Sequence, residues 1–394
     1  MPQPGLKTRL AALDGLRLVA ALMVVLYHYA ALSRPWGHDP VTIFPTLHHF
    51  AQFGWLGVEI FFLVSGFVIC MSVWGRTVGD FAISRVSRLF PAYWVAVPFT
   101  ALVVKAWPEI HSIRGWDDVI INLTMLQAGN NTRNVDDVYW TLFVELKFYV
   151  LMAVVVLCGV TYRNMVIFCG VWTVAAALAP SLGFPLLAAF AMPVYAPFFI
   201  AGIAFYLMRR YGSNPMLWGI VVMQLLLSQR YLHYRMEISL GKVAANLLPT
   251  WPVRLIVIAG FAVVAAIALG AFDKVQWKWL TTAGAITYPL YLIHMYIGMT
   301  LIHHFRNQVP AAVLLVSVTV LMMVTAWLIH RLVERPLGKW LRNAMRRGVD
   351  DVRRNTPAHK HPRTSPDTEA LALAPAPAAR RPAEHEAPVT SRIG

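Results

Sequence analysis

Apolar stretches about twenty residues long recur along the chain and alternate with shorter polar segments. Each stretch is long enough to cross a bilayer as an α-helix, which needs about 20 apolar residues. The pattern predicts ten membrane spans, at about residues 16–33, 55–74, 90–107, 138–160, 164–180, 186–207, 215–229, 253–271, 283–303 and 310–330. The segment 6–15 is predicted to lie at the membrane interface. The predicted fold class is therefore an all-α polytopic membrane protein.

The composition agrees with a membrane location and argues against nucleic-acid binding. Of the 394 residues, 58% are hydrophobic and only 13% are charged. The formal net charge is +15, but the Lys and Arg residues lie between apolar stretches rather than on one soluble domain. More of them share a side with the N-terminus, so the positive-inside rule predicts that both termini are cytoplasmic. The basic residues are interpreted as anchors to the lipid bilayer, with no nucleic-acid partner.

Two long loops lie on the opposite side of the predicted membrane, at about 108–137 and 230–252. The polar residues of the first loop include Asn130, Asn131, Asp136 and Asp137. This loop is interpreted either as an entrance for a hydrophilic partner or as a solvated connector, and the sequence does not decide between the two.

The chain is predicted to consist of one membrane domain, 1–345, and a disordered cytoplasmic tail, 346–394. The end of the chain is rich in Pro, Ala, Arg, Glu and Thr, a composition that buries too little apolar surface to fold. Three cysteines lie in or beside apolar stretches, at Cys70, Cys158 and Cys169. They indicate neither a disulfide framework nor a metal site, and no metal is expected.

The first predicted span carries two polar residues, Arg17 and His28, within LDGLRLVAALMVVLYHY. Eleven residues make about three helical turns, so both side chains lie on one face, roughly 16 Å apart along the axis. An ionisable residue inside a membrane span is costly and usually faces a cavity or a pathway. Arg17 can reach the lipid headgroups from the helix end, but His28 lies near the middle of the bilayer. A function is therefore favoured for His28.

Arg85 and Arg88 follow at the cytoplasmic end of the third span, in FAISRVSRLFPAYW. Residues three apart share a helical face, so two guanidinium groups project together. Such planar, permanently charged groups suit phosphate binding. Anchoring by the positive-inside rule is the simpler explanation of the pair alone.

Glu145 lies within the fourth span, in WTLFVELKFYV. A carboxyl group at that depth must be protonated or paired. Lys147 points away from it on an ideal helix, whereas Tyr149, four residues on, shares its face. The sequence therefore predicts a local partner in Tyr149 rather than in Lys147.

Further candidates lie in the second and ninth spans. Glu59 is at the outer end of the second span and is expected to reach the interface. Ser65 and Gly66 in the same span are typical of close helix packing through small residues. Tyr288 and His294 occur in ITYPLYLIH. For His294, a structural role and a functional role are equally compatible with the sequence.

These motifs resemble acyltransferase family 3, the integral membrane O-acyltransferases. The resemblance rests on the Arg-x10-His pair of the first span, followed in order by GVEIFFLVSGF, SRVSRLFPAYW, WTLFVELKFY and YPLYLIH. It covers about residues 10 to 340. Each motif alone is weakly specific, but five in the right order and in the right spans are specific.

The resemblance implies a multi-pass enzyme of the bacterial cytoplasmic (inner) membrane. Such an enzyme transfers an acyl group, often acetyl, from cytoplasmic acyl-CoA to a hydroxyl group. Acceptors in the family are usually sugars of surface polysaccharide, lipopolysaccharide or peptidoglycan, and sometimes macrolides. One departure from the family pattern is Lys147, where a neutral glutamine is more frequent.

By position, the resemblance also implies which residues act. The essential Arg/His pair of the family falls on Arg17 and His28, its Arg-x-x-Arg pair on Arg85 and Arg88, and its acidic residue on Glu145. In the resulting hypothesis the three arginines bind the phosphates of CoA. His28 is the general base, and Glu145 orients it as the third member of a triad does.

Two other classes of protein share some of these features. A transporter or flippase of a polysaccharide precursor would also combine many spans with charges inside the membrane. The sequence shows no internal repeat to favour it. A purely structural membrane protein would leave Arg17, His28 and Glu145 unexplained.

Overall fold

Within residues 10–355, the range that the computed structural model describes, the backbone forms α-helices joined by turns and short loops. The helices of this range are α1 (Ala11–Leu26), α2 (Pro40–Ile43), α3 (Pro45–Ala51), α4 (Gly57–Val73), α5 (Val78–Ala106), α6 (Trp116–Asn122), α7 (Trp140–Leu157), α8 (Tyr162–Leu182), α9 (Pro185–Ala191), α10 (Ala196–Tyr211), α11 (Pro215–Arg230), α12 (Leu232–Leu240), α13 (Lys242–Leu247), α14 (Thr250–Ala268), α15 (Lys278–Phe305), α16 (Ala311–Ile329) and α17 (Arg335–Asn355). The predicted all-α class is confirmed for this part of the chain.

Two π-helical turns continue the long helices. Tyr27–Ala31 extends α1, and His330–Glu334 joins α16 to α17. A π turn places an extra residue in the turn and shifts the side chains that follow, and such turns are frequent at functional sites. Shorter 3₁₀ turns occur at Gly54–Leu56, Gln127–Asn130 and Asp137–Tyr139.

The long apolar helices make the chain a polytopic membrane protein. Among the residues that the structure describes, eight helices are long and apolar enough to cross a bilayer. The predicted span 186–207 is a pair of helices, α9 and α10, which meet at a 40° bend. The predicted span 215–229 corresponds to α11, whose 16 residues rise only about 24 Å. The count of ten therefore stays a prediction.

Both ends of the predicted membrane domain are helical in the described range. Residues 11–15, expected at the interface, form the first turn of α1. Residues 346–355, assigned to the tail by their composition, continue α17. The rest of the predicted disordered tail lies outside the described residues.

Helix α15 is the central element of the membrane domain. Every residue from Ala283 to Thr300 is buried, which distinguishes α15 from helices with one lipid-facing side. Its glycines allow α1 to approach closely. A Cβ atom at Gly284 would lie 2.3 Å from the Asp14 carboxylate, and one at Gly298 would overlap the Tyr29 ring. The helix that carries Arg17 and His28 is thus fixed against the helix that carries His294.

Helices α4 and α10 are in close contact through their glycines, as the Ser65-Gly66 pair predicts. A Cβ atom at Gly66 would lie 2.1 Å from the carbonyl oxygen of Phe199. A Cβ atom at Gly202 would lie 2.2 Å from the carbonyl oxygen of Leu63. In membranes, where lipid and side chains are equally apolar, such backbone proximity is a main source of helix association.

Replacing Gly66 with alanine is expected to destabilise the protein. The added methyl group overlaps backbone atoms of α10, which cannot rotate away, so the two helices must separate at a cost of about 1–3 kcal/mol. The measurement is the midpoint of thermal unfolding in detergent. Gly170→Ala on α8 is the matched control, because a Cβ atom there meets no atom within 4 Å. Equal midpoints for the two variants would contradict the close packing of α4 and α10.

Candidate active site

Three neighbouring cavities follow the length of α1 and contain most of the predicted site residues. The first, which we call the arginine cavity, has a volume of about 360 Å³ and is lined by Arg17, Arg85, Arg88 and Glu145 among others. The second, the middle cavity, has about 70 Å³. The third, the histidine cavity, has about 270 Å³ and contains His28 in its wall.

The middle cavity has walls in common with both larger cavities. It shares Arg17 and Tyr288 with the arginine cavity. It shares Val58 and Tyr291 with the histidine cavity. The three cavities therefore form a series from the first turns of α1 to the π turn at its end.

Two guanidinium groups from α5 line the arginine cavity, as the Arg-x-x-Arg spacing predicts. The Arg85 Nη2 atom donates a hydrogen bond to Ser84 Oγ over 3.0 Å. Its Nε atom is buried and has no hydrogen-bond partner among the described residues. Its Cζ atom lies 5.8 Å from the ring centroids of Phe81 and Tyr149. Arg85 thus has an unused buried donor beside the cavity.

Arg88 is instead paired within the protein. Its Nη1 atom lies 2.8 Å from Glu334 Oε1, and the second oxygen of that carboxylate lies 2.8 Å from His330 Nδ1. Glu334 is buried, while about a third of the Arg88 side chain remains exposed. The π turn that carries Glu334 therefore holds Arg88 at the wall of the cavity.

Glu145 lies between the arginine cavity and the middle cavity. Its Oε1 atom accepts hydrogen bonds from Tyr149 OH over 2.7 Å and from Ser65 Oγ over 3.2 Å. The contact with Tyr149 is the one that the helical spacing predicts. Lys147 points elsewhere, with its Nζ atom 5.2 Å from the Phe143 ring centroid. The charge of Glu145 acts on the Arg17 guanidinium, which lines the same two cavities.

His28 contacts His294 rather than Glu145. The Nδ1 atom of His28 lies 2.9 Å from the Val24 carbonyl oxygen and 3.1 Å from His294 Nε2. The Nδ1 atom of His294 lies 2.8 Å from the Tyr291 carbonyl oxygen. Glu145 and His28 share no cavity wall, so the orienting role predicted for Glu145 has no contact to support it.

The two histidines allow one arrangement of protons in their neutral forms. A carbonyl oxygen only accepts, so His294 must donate from Nδ1 to Tyr291, which leaves its Nε2 atom as an acceptor. His28 then donates from Nδ1 to His294 and Val24, and its own Nε2 atom carries a free lone pair. Tyr29 OH donates to the His294 carbonyl oxygen over 2.6 Å and further fixes the pair. The arrangement leaves a base at His28 Nε2.

Arg235 in the wall of the histidine cavity belongs to a buried ion pair that the sequence did not reveal. Glu59 was expected to reach the interface, but it is only 2% exposed and its Oε1 atom lies 2.6 Å from Arg235 Nε. Arg235 lies on α12, within the segment 230–252 that was predicted to be a long loop. The expectation for Glu59 is wrong because α12 folds back over the end of α4 and covers it.

Aromatic rings surround Arg235. Its Cζ atom lies 5.1 Å from the Trp55 ring centroid, 5.4 Å from that of Trp140 and 5.5 Å from that of Tyr195. The next turn of α12 is attached to α1, because Tyr27 OH donates to the Ser239 carbonyl oxygen over 3.1 Å. Trp55 and Trp140 also line the histidine cavity, whose wall is therefore both aromatic and polar.

The loop 108–137 contributes to the site only at its end. Asn130 and Asn131 are exposed, whereas Asp137 lines the histidine cavity. Asp136 is fully buried and accepts hydrogen bonds from the backbone of Val138 and Tyr296. Burial raises the pKa of Asp136 to about 7, against the effect of these two hydrogen bonds. This aspartate fixes the start of α7 to α15.

Residues missed by sequence reasoning carry part of the site. Three such residues occur among other charges outside the predicted spans: Arg235, Glu334 and Arg342. The sequence around each of them therefore does not indicate which residue it contacts. The i,i+4 spacing of His330 and Glu334 is the one exception, since it places both on one face. Within residues 10–355, no group of three or more His, Cys, Asp and Glu side chains is arranged to hold a metal ion.

Comparison with known proteins decides the family. Residues 10–331 match the family model described as an acyltransferase domain. The chain belongs to acyltransferase family 3. The matched range includes the residues of all three cavities except Arg342.

Three known proteins resemble parts of the chain. YrhL of Bacillus subtilis (strain 168), named as a peptidoglycan O-acetyltransferase, is 25% identical over 37% of this chain and 24% of its own length. The acyltransferase MdmB of Streptomyces mycarofaciens is 29% identical over 36% of this chain and 38% of its own. The O-acetyl transferase of Shigella phage Sf6 is 31% identical over 36% of this chain and 45% of its own length.

The matched part of the chain covers less than half the length of each of these relatives. No solved structure matches the chain. The comparisons thus support a membrane O-acyltransferase and leave the donor and the acceptor to be argued from the site.

Proposed function

We propose that this protein transfers an acyl group, most simply acetyl, from cytoplasmic acyl-CoA to a hydroxyl group of a glycan or another cell-envelope acceptor. The observation that carries the proposal is the series of cavities, which leads from clustered guanidinium groups to a buried histidine base. The names of the relatives support O-acetyl transfer as the reaction. The excess of Lys and Arg on the side of the N-terminus supports cytoplasmic termini. Membership of the family supports a location in the cytoplasmic membrane.

The arginine cavity suits the phosphate groups of CoA. Arg17, Arg85, Arg88 and Arg342 line it against the carboxylates of Asp14 and Glu145, so positive charge exceeds negative charge there. Since Arg88 is paired with Glu334, the unused buried Nε atom of Arg85 is the donor best placed for an anion. Charge-assisted hydrogen bonds of guanidinium to phosphate are among the strongest in proteins.

The middle cavity suits the narrow pantetheine arm, and the histidine cavity suits the acceptor. Arg17 and Glu145 are the charged residues in the wall of the middle cavity. The aromatic and polar wall of the histidine cavity, with Trp55, Trp140 and Asp137, is typical of sites that bind hydroxyl-bearing ligands. The thioester and the hydroxyl group would meet at His28.

His28 acts as the general base in this mechanism. Its Nε2 atom accepts the proton of the acceptor hydroxyl while the hydroxyl oxygen bonds to the thioester carbonyl carbon. The tetrahedral intermediate then collapses, the carbon–sulfur bond breaks, and the thiolate of CoA takes the proton from Nε2. Throughout the reaction, His294 Nε2 accepts a hydrogen bond from His28 Nδ1. It thereby orients the imidazole ring of His28, as the third residue of a catalytic triad does.

This proposal is tested by acyl transfer itself. Membranes that contain the protein are incubated with radiolabelled acetyl-CoA and extracted envelope glycans, and membranes without it serve as the background. Label in the glycan fraction that alkali removes as acetate supports O-acetylation. Absence of label from glycans and from every other hydroxyl-bearing fraction would overturn the proposal.

Replacing His294 with leucine is expected to lower kcat by about 10²-fold, because His28 loses the acceptor that fixes its Nδ1 hydrogen. The KM for acetyl-CoA should stay unchanged, since His294 lines none of the three cavities. His294→Gln supplies an acceptor oxygen and should restore most of the rate. His304→Leu, near the exposed end of α15, is the control. A rise in KM without a fall in kcat would exclude the positioning role.

A further inference from the structure

Four basic residues lie along one face of α17 beside the arginine cavity. Arg335, Lys339, Arg342 and Arg346 follow one another at helical spacings of four, three and four, so they form a single stripe. All four are exposed. Among them Arg342 alone lines the arginine cavity, which places the middle of this stripe at the cavity wall.

Arg76 brings a further charge to the same place from the turn before α5. Burial and the positive charges of Arg85, Arg342 and Arg346 lower the pKa of Arg76, and Asp80 opposes them. Repulsion between neighbouring positive charges raises the free energy of the folded protein unless an anion neutralises them. Of these arginines, Arg85 and Arg342 line the arginine cavity, and Arg76 and Arg346 add positive charge that acts on the same group of residues.

Arg342 differs from Arg17 and Arg88 in the carboxylates around it. Arg88 is held by Glu334, and Arg17 is influenced by Glu145 and Asp14. Arg342, by contrast, makes one long hydrogen bond to the described residues, 3.4 Å from its Nε atom to Ser87 Oγ. Within the same range the buried Nε atom of Arg85 has no hydrogen-bond partner.

We propose that Arg342, with Arg76 and Arg346, forms a second phosphate subsite that binds the 3′-phosphate of CoA. This inference rests on the proposed function. In CoA the thioester, the pantetheine arm, the pyrophosphate and the 3′-phosphate follow in that order. Along the protein, the histidine cavity is followed by the middle cavity and then by the arginine cavity, which is lined by Arg85, Arg88 and Arg342.

The subsite gives the enzyme a way to distinguish CoA from other thioester donors. An acyl carrier protein and dephospho-CoA both lack the 3′-phosphate. A donor without that group would leave the guanidinium groups of Arg76, Arg342 and Arg346 without a counter-charge, so it should bind more weakly.

The test compares the binding of acetyl-CoA and acetyl-dephospho-CoA to the purified full-length protein in lipid nanodiscs. The wild type should bind acetyl-CoA about tenfold more tightly, as expected for charge-assisted hydrogen bonds to a phosphate. Arg342→Gln should lower the affinity for acetyl-CoA about tenfold and leave that for acetyl-dephospho-CoA unchanged, which removes the preference. The Arg342 side chain is exposed, so its replacement should preserve the fold.

Lys339→Gln is the matched control, since Lys339 lies on the same stripe but outside the cavity lining. It should retain the preference of the wild type. Equal binding of the two donors by the wild type, or equal loss in the Lys339 and Arg342 variants, would overturn the subsite. A wild type that binds neither donor would overturn the proposed function instead.

Discussion

Replacing His28 with alanine is expected to reduce acyl transfer by about 10²–10⁴-fold, the usual contribution of a general base. His28 supplies the one imidazole nitrogen of the histidine pair that has no partner in the described structure, and its side chain lines the cavity assigned to the acceptor. Binding of acetyl-CoA should be unchanged, because His28 does not line the arginine cavity. The measurement is the initial rate of acetyl transfer at saturating acetyl-CoA.

Two further variants sharpen this experiment. His28→Gln preserves much of the side-chain volume and the hydrogen-bonding capacity but cannot take up a proton, so it should be as inactive as the alanine variant. His49→Ala, an exposed histidine on α3, should be fully active. If the glutamine variant keeps more than a tenth of the wild-type rate, His28 does not act as a base.

Replacing Arg235 with methionine is expected to destabilise the protein by about 3–5 kcal/mol, the cost of leaving a buried charge without its partner. Glu59 would remain only 2% exposed, and its Oε2 atom already lacks a hydrogen-bond partner among the described residues. The aromatic rings of Trp55 and Trp140 would also lose the guanidinium group between them. The measurement is the thermal midpoint and the unfolding free energy in mixed micelles.

The double variant Glu59→Leu with Arg235→Met removes both charges and should recover most of the lost stability, because the desolvation cost disappears together with the attraction. Asp273→Asn is the control at an exposed pair. Its partner Arg209 lies 2.8 Å away, but the aspartate is 49% exposed, so the loss should stay below about 1 kcal/mol. If the double variant is no more stable than Arg235→Met alone, the ion pair is not the cause.

The sequence predicts which side chains are unusual because charge inside an apolar stretch is costly wherever it occurs. Arg17, His28 and Glu145 interrupt apolar spans, and all three line the series of cavities. The contact of Glu145 with Tyr149 is also predicted, because helical geometry determines which neighbours share a face. Local periodicity is sufficient for inferences of this kind.

Partners from distant parts of the chain follow from packing that the periodicity does not contain. His294 meets His28 because Gly284 and Gly298 allow α15 to approach α1, a relation between residues more than 250 positions apart. Arg235 meets Glu59 because part of the segment predicted to be a long loop, 230–252, forms the helix α12. Neither contact can be recognised from the sequence around either of its two residues.

Span boundaries are predicted less well than the helices themselves. Hydropathy detects an apolar segment but not a bend within it, and Met192, with its positive φ of 48°, separates α9 from α10 in the middle of one predicted span. The prediction of all-α membrane architecture does not depend on this detail. The exact number of membrane crossings does depend on it.

The small middle cavity has a consequence for membrane permeability. At about 70 Å³ it is the smallest of the three cavities, and Arg17 and Glu145 place opposite charges in its wall. A hydrated ion would have to lose water to pass this constriction, and removing water from an ion is costly. The proposed mechanism places the CoA phosphates and the acceptor on opposite sides of this narrow passage, so acyl transfer by this route does not require an open pore through the membrane.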